Sequence, residues 1–149
     1  MTKNNTYNIP VSCLCSIYRE TILSEFIIAI DSIMIQKYIP NEIVIIVDGY
    51  IKKDIKMFLE FIKTDEIFKI YKIKKNKGLG FALNYGLKKC TNSIVARFDT
   101  DDINLQNRLK IQYDLIKKYS NLSIIGSNVF EYNEKIKACK IKKVPLNHK

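Results

Sequence analysis

Glu42–Gly49 reads EIVIIVDG, five consecutive apolar residues held between a glutamate and an Asp-Gly pair. The run is of strand length, rich in β-branched residues and without the polar alternation of a strand that has one face in water. That pattern predicts a strand buried on both faces, as in a parallel sheet covered by helices. Pro40, just upstream, is expected to break the chain before the strand begins. Working outward, Val11–Tyr18 (VSCLCSIY) is a second β-rich run, ended by Arg19 and Glu20. Thr21–Gln36 then carries the denser apolar pattern of a helix packed on a sheet. On the other side, Ile55, Phe58, Leu59 and Ile62 lie at helical spacing within Lys53–Lys63, and Phe68–Ile73 alternates as a third strand.

The alternation continues. After the loop KKNKGLG comes a predicted helix from Gly80 to Lys89, with Phe81, Leu83 and Leu87 as core contacts, and Ser93–Phe98 (SIVARF) is a fourth strand. Asn104 is a favourable N-cap for a helix over Leu105–Tyr119, with Leu105, Leu109, Tyr113 and Ile116 on one face. Leu122–Tyr132 and Lys135–Pro145 read as further strands about the turn Asn133–Lys135. Strand and helix in strict alternation with short connections imply an α/β fold, a mostly parallel sheet with helices on both faces and right-handed crossovers.

The chain of 149 residues, 47% of them hydrophobic, is long enough for one core, so a single domain over 1–149 is expected. Its 25 Lys and Arg against 15 Asp and Glu give a formal charge of +10, which suits an anionic partner and equally a solvated lysine-rich surface. The N-terminal MTKNNTYNIP lacks the apolar core of a signal peptide, and no apolar run approaches the ~18 residues of a membrane span. A cytoplasmic location is the expectation. Cys13, Cys15, Cys90 and Cys139 form no C-x-x-C pair and read as buried reduced thiols.

In an open parallel sheet, ligands collect at the carboxyl ends of the strands. Tyr18–Glu20, Asp48–Gly49, Asn76–Gly80 and Asp99–Asp102 each follow a predicted strand and should share one rim. Asp99 and Asp101, in D-x-D spacing within VARFDTDDINLQNRL, can face the same way and suit Mg2+ or Mn2+ that takes its other oxygens from a diphosphate. An acidic turn beside a helix N-terminus is the alternative. A Ca2+ loop of the EF-hand kind fails, because its twelfth position would be Lys110. The glycine turn beside Lys74, Lys75 and Lys77 could offer backbone N–H groups and charge to phosphate oxygens, or be a tight turn only. Asp48 could accept from a base N–H or ribose hydroxyls, or close a turn. Arg97, inside a strand, is placed to pair with one of the aspartates. The helix bearing Arg108 is basic but lacks interleaved aromatics, so no nucleic acid is expected as partner.

VSCLCSIYRE, EIVIIVDG, KNKGLGFALNYGL, VARFDTDDINLQNRL and IIGS together resemble, in order and spacing, family 2 glycosyltransferases of GT-A fold, above all those of bacterial exopolysaccharide and lipopolysaccharide biosynthesis. The resemblance runs from about Val11 to Pro145. It implies a GT-A, Rossmann-like domain and a metal-dependent, inverting sugar transfer from a nucleotide diphosphate, commonly a UDP-sugar, to a glycan or lipid-linked acceptor. It also implies peripheral association with the inner face of the membrane. By the same resemblance Tyr18 stands beside the donor base with Glu20 just beyond, and Asp48 contacts the uracil or ribose. Gly78, Asn84 and Gly86 match the segment by the diphosphate. Asp99 and Asp101 match the metal-binding pair, with Asp102 as a substitute. Leu83 stands where many relatives carry arginine. The family's second half, with its acceptor surface and catalytic base, is expected to be lacking. Glu131, Glu134 and His148 match that base by no position, so no base is assigned. A nucleotide-sugar-binding protein without catalysis is the alternative, and a sugar-phosphate nucleotidyltransferase a lower one.

Overall fold

A computed structural model describes residues 7–133 and 137–145. The chain divides into two compact units, Met1–Ile111 and Gln112–Lys149. The first holds a four-stranded parallel sheet in the order β3-β2-β1-β4, made of β1 (Tyr7–Ile17), β2 (Tyr38–Asp48), β3 (Phe68–Ile73) and β4 (Ile94–Arg97). Helices α1 (Leu23–Met34), α2 (Lys53–Ile62) and α3 (Leu79–Leu87) make the crossovers, and α4 (Arg108–Lys118) straddles the division. In the second unit, β5 (Val129–Asn133) and β6 (Ala138–Lys142) form an antiparallel ribbon. Leu122–Asn128, expected as strand, is not.

The run that suggested a doubly covered strand behaves as one: Ile43, Val44, Ile45, Ile46 and Val47 are all buried. Alternation along β1 and β2 sends Cys13, Cys15, Ile43 and Ile45 to one face and Leu14, Val44 and Ile46 to the other. Right-handed crossovers through β1, β2 and β3 put α1 and α2 on the first face, where Phe26 meets Phe58 edge-on at 5.6 Å. The chain reverses direction across the sheet between β3 and β4, which puts α3 on the second face, against Leu14, Val44 and Ile46.

Two sequence expectations are corrected here. Pro40 does not precede β2 but lies inside it, opposite Ile9, where the ladder skips from Ile9 to Ser12. A bulge tolerates a residue that cannot donate, so the missing N–H costs nothing regular. The core contacts of α3 are also different. Phe81 and Leu87 are half exposed; Leu83, partly buried, does pack against the core as expected, but Ala82 and Gly86 are the residues buried on the sheet. A Cβ on Gly86 would lie 2.5 Å from Leu14 Cδ1 and 2.9 Å from Ile46 Cγ1, so the helix sits too close for a larger residue.

Cys13 and Cys15 are fully buried, and burial pushes the Cys13 thiol up to about 12. Cys139, expected inside, is exposed. At the amino end of the sheet the buried Glu42 carboxylate accepts hydrogen bonds from the Ser12 and Thr91 hydroxyls, the Thr91 N–H and the Asn92 amide. Those bonds tie β1 and β2 to the turn that leads into β4.

Candidate functional site

Because all four strands run the same way, their carboxyl ends lie along one rim of the first unit. The order of the sheet puts the residues after β3 first, then Asp48 at the end of β2, Tyr18 after β1, and Asp99 after β4. Register keeps them level: Ile17 pairs with Val47, and Asp48 with Ile73. β1 has β2 on one side and β4 on the other, which is the switch point at which open α/β sheets form their crevice.

Tyr18 is half exposed, held by a turn in which its N–H donates to Thr21 Oγ1 at 3.1 Å and its carbonyl accepts from the Thr21 N–H at 3.1 Å. Thr21 itself is buried. Glu20 is exposed and pairs with Arg19 at 2.8 Å. Thr21 had no sequence signal beyond its place after the strand, yet it fixes the direction in which Tyr18 leaves the sheet.

Asp48 is only 2% exposed. Its Oδ1 accepts from the Lys77 N–H and its Oδ2 from the Gly78 N–H, both at 2.8 Å. Its carbonyl accepts from Asn76 Nδ2 at 3.2 Å. The glycine turn is therefore pinned, and two of the N–H groups expected to face phosphate are already engaged. Gly78 has φ +87° and begins α3, with its carbonyl accepting the Ala82 N–H at 3.0 Å. The side chains of Lys74, Lys75 and Lys77 are exposed beside it. α3 descends from the rim at 1.5 Å per residue, so Asn84 and Gly86 sit roughly 9 and 12 Å below its start. Asn84 is exposed on the side turned from the sheet, and Gly86 is buried against it. The structure brings neither onto the rim.

The acidic turn is anchored at both ends. On one side Phe98 is buried and its N–H donates to Leu14 O at 3.0 Å, extending the β4 ladder. On the other, Asn104 is buried and donates to Ser32 Oγ through its N–H at 3.0 Å and its Nδ2 at 3.1 Å. Asn104 is thus no N-cap: α4 begins only at Arg108, and the side chain binds α1 instead. Gln36, fully buried, donates to the carbonyls of Asn104 at 3.2 Å and Leu105 at 2.9 Å and accepts the Leu109 N–H at 3.2 Å. Arg108 donates to Asn104 Oδ1 and, through Nη2, to Arg97 O at 2.7 Å. Ser32, Gln36 and Arg108 were not singled out from sequence for this role, because their partners lie tens of residues away.

Between these anchors, Asp99 accepts from Arg97 Nη2 on both oxygens, at 2.6 and 2.7 Å, as the expected pairing of Arg97 with an aspartate requires. Asp101 and Asp102 are exposed as residues, but the Asp102 carboxyl itself is partly screened from water. Partial burial, and then the charges of Asp101 and Asp99, push the Asp102 carboxyl above its ordinary value, against the opposing pull of Arg108 and Arg97. Among the described residues no group of three acidic, Cys or His side chains forms a closed metal cage. The turn supplies oxygen donors only, and too few to fill the shell of a hard divalent cation. That fits an ion that completes its coordination with phosphate oxygens and water. Of the residues weighed as a base, Glu131 is exposed and paired with Lys142 at 3.1 Å, while Glu134 and His148 lie outside the described residues.

No helix among the described residues is long and apolar enough to cross a membrane. Among curated proteins, the chain is 37% identical over 119 residues to the UDP-Gal:alpha-D-GlcNAc-diphosphoundecaprenol beta-1,3-galactosyltransferase of Escherichia coli, covering 78% of this chain and 43% of that one. It is 32% identical over 137 residues to the amylovoran biosynthesis glycosyltransferase AmsE of Erwinia amylovora, covering 92% and 51%. The chain thus spans about half the length of these relatives. Among solved structures, the mannosyltransferase PcManGT of Pyrobaculum calidifontis, in complex with GDP-Man and Mn2+, superposes with a TM-score of 0.60 at 20% identity over 85% of this chain and 37% of that one. That likeness confirms the GT-A form of the α/β fold. The sequence pattern of glycosyl transferase family 2 matches residues 12–141, and the chain belongs to that family.

Proposed function

We propose that this chain binds a nucleotide-diphosphate sugar, with a UDP-sugar as donor, and provides the donor half of an inverting transfer to a glycan or lipid-linked acceptor in bacterial surface-polysaccharide biosynthesis. The observation that carries the reading is the single rim on which Tyr18, the Asp48-pinned glycine turn and the doubly anchored acidic turn stand at successive strand ends. Tyr18, half exposed, offers a face on which a base can stack, and Glu20 lies beside it. Asp99 and Asp101 would hold Mg2+ or Mn2+, with Asp102 as reserve. The ion would offset the charge that gathers on the departing diphosphate. Gly78 opens the turn toward the diphosphate, while Asn84 and Gly86 support it through α3. The acceptor named for the Escherichia coli relative is lipid-linked, which favours work at the inner face of the membrane, with this basic chain as a peripheral partner.

Calorimetric titration with UDP in the presence of Mn2+ tests the reading. Wild type is expected to bind, and Asp101→Ala to lose the metal-dependent part; absence of binding in wild type overturns it. Sugar transfer by this chain alone, lost in Asp99→Ala, would separate an enzyme from a donor-binding portion that needs further residues for its base.

A further inference from the structure

We propose that Arg97 is an exchangeable counter-ion of the acidic turn. It holds Asp99 while no metal is bound, yields that carboxylate to an arriving divalent cation, and then offers its guanidinium to the donor's diphosphate. The inference rests on the donor site proposed above and adds a residue to it. Arg97 is the last residue of β4 and pairs in register with Leu14, whose side chain packs under α3. It therefore leaves the sheet on the α3 face, at the rim, where Asp99 follows two residues on.

The ion pair is of a kind that is readily given up. Nη2 alone donates to both oxygens of Asp99, at 2.6 and 2.7 Å, which is not the two-nitrogen fork that makes an arginine–carboxylate pair strong. The two side chains are 51% and 41% exposed, and a pair so open to water contributes little. Nε and Nη1 of Arg97 hold no hydrogen bond among the described residues, so donors of fixed geometry are left uncommitted. Arg108 has no such freedom: its Nη1 is on Asn104 Oδ1 and its Nη2 on Arg97 O at 2.7 Å. Against a divalent cation, which carries twice its charge, Arg97 competes for the same two oxygens and loses. Once displaced, it stands beside the turn at which the charge of the diphosphate gathers, and a planar guanidinium suits phosphate oxygens.

The experiment measures Mn2+ affinity without nucleotide, by the electron paramagnetic resonance of the free ion, and UDP affinity at saturating Mn2+, by calorimetry. Arg97→Met removes the charge and keeps most of the side chain. It is expected to bind Mn2+ alone about two- to fivefold more tightly than wild type, the range that an exposed ion pair allows. The same variant is expected to bind UDP more weakly by about tenfold or more, through loss of a charged contact to the diphosphate. Effects of opposite sign separate exchange from a structural role, because a turn that merely loosened would lose affinity for both ligands. In wild type, the Arg97 Nε–H resonance should shift when Mg2+ is added. Arg97→Lys, which keeps the charge but not the planar fork, should bind Mn2+ as wild type does and UDP more weakly; it serves if Arg97→Met does not fold. Equal or weaker Mn2+ binding by Arg97→Met, an Nε–H indifferent to Mg2+, or UDP affinity unchanged in both variants overturns the inference. If wild type binds Mn2+ but not UDP, the donor-site reading fails, and the Mn2+ affinities and the Nε–H shift decide whether Arg97 exchanges.

Discussion

Gly86→Ala is expected to destabilise the protein although it adds a good helix former. Helix propensity favours the change by roughly 0.5–1 kcal/mol, less near a helix end than at its centre. Against this, the new methyl would lie 2.5 Å from Leu14 Cδ1 and 2.9 Å from Ile46 Cγ1, where ordinary carbon contacts are about 3.5–4.0 Å. Leu14 and Ile46 are 1% and 0% exposed and belong to the two central strands of the sheet, so neither has room to retreat. Overpacking of this kind costs ~1–3 kcal/mol, and the depth of the overlap argues for the upper half. The net loss is then about 1.5–2 kcal/mol, or a fall in Tm of roughly 5–6 °C for a chain of this size. Urea unfolding followed by circular dichroism should show a lower midpoint with an unchanged slope. A cycle with Leu14→Ala should show coupling of about 1 kcal/mol or more, because removing the leucine tip makes room for the methyl. Under folding conditions the variant should keep its affinity for UDP with Mn2+. A Gly86→Ala protein as stable as wild type, or an additive cycle, would refute the close seating of α3; a stable variant that loses UDP would return Gly86 to the donor site.

Glu42 contributes a pH dependence to stability. Burial pushes its carboxyl up, but the hydrogen bonds from Ser12, Thr91 and Asn92 outweigh that and hold it below the ordinary 4.5. A carboxyl lowered in the folded state contributes stability that is present above the unfolded value and disappears as pH falls through the folded one. Glu42→Gln should therefore be less stable than wild type at pH 7 and lose less stability between pH 5 and 3, measured by urea midpoints; parallel pH profiles would contradict this. Gln36→Ala should cost about 2–4 kcal/mol, since it strips buried partners from the Asn104 and Leu105 carbonyls and the Leu109 N–H. It should also weaken Mn2+ binding in calorimetry, because the acidic turn loses its anchor at Asn104; metal affinity equal to wild type would dissociate the anchor from the site.

What was legible in the sequence was the part governed by local pattern. The apolar run Ile43–Val47, the period of α2 and the alternation of Phe68–Ile73 each report burial directly, and their order implied the parallel sheet and thus the shared rim. Legibility ended where a long-range partner decides. α3 carries large apolar residues at Phe81 and Leu87, but the sheet receives Ala82 and Gly86, because closeness of packing outweighs hydrophobicity of the residue. Asn104 has the residue type and position of an N-cap, yet Ser32, on α1, claims its donors. Asp48 stood at the right place, but its occupation by N–H groups 29 and 30 residues away is invisible in one dimension.

The bulge between β1 and β2 has a consequence at the opposite end of the sheet. Pro10 and Pro40 stand at or beside the break between Ile9 and Ser12. A slide of one strand along the other by two residues would preserve the faces but carry a residue without a donor into the uninterrupted pairing that begins at Ser12 and Glu42. The break therefore works as an index mark: it sets where counting starts, so that Ile17 and Val47 finish side by side and Tyr18 and Asp48 leave the sheet level with each other. The alignment of the rim at the carboxyl end of the sheet is gauged from the other end, by two prolines.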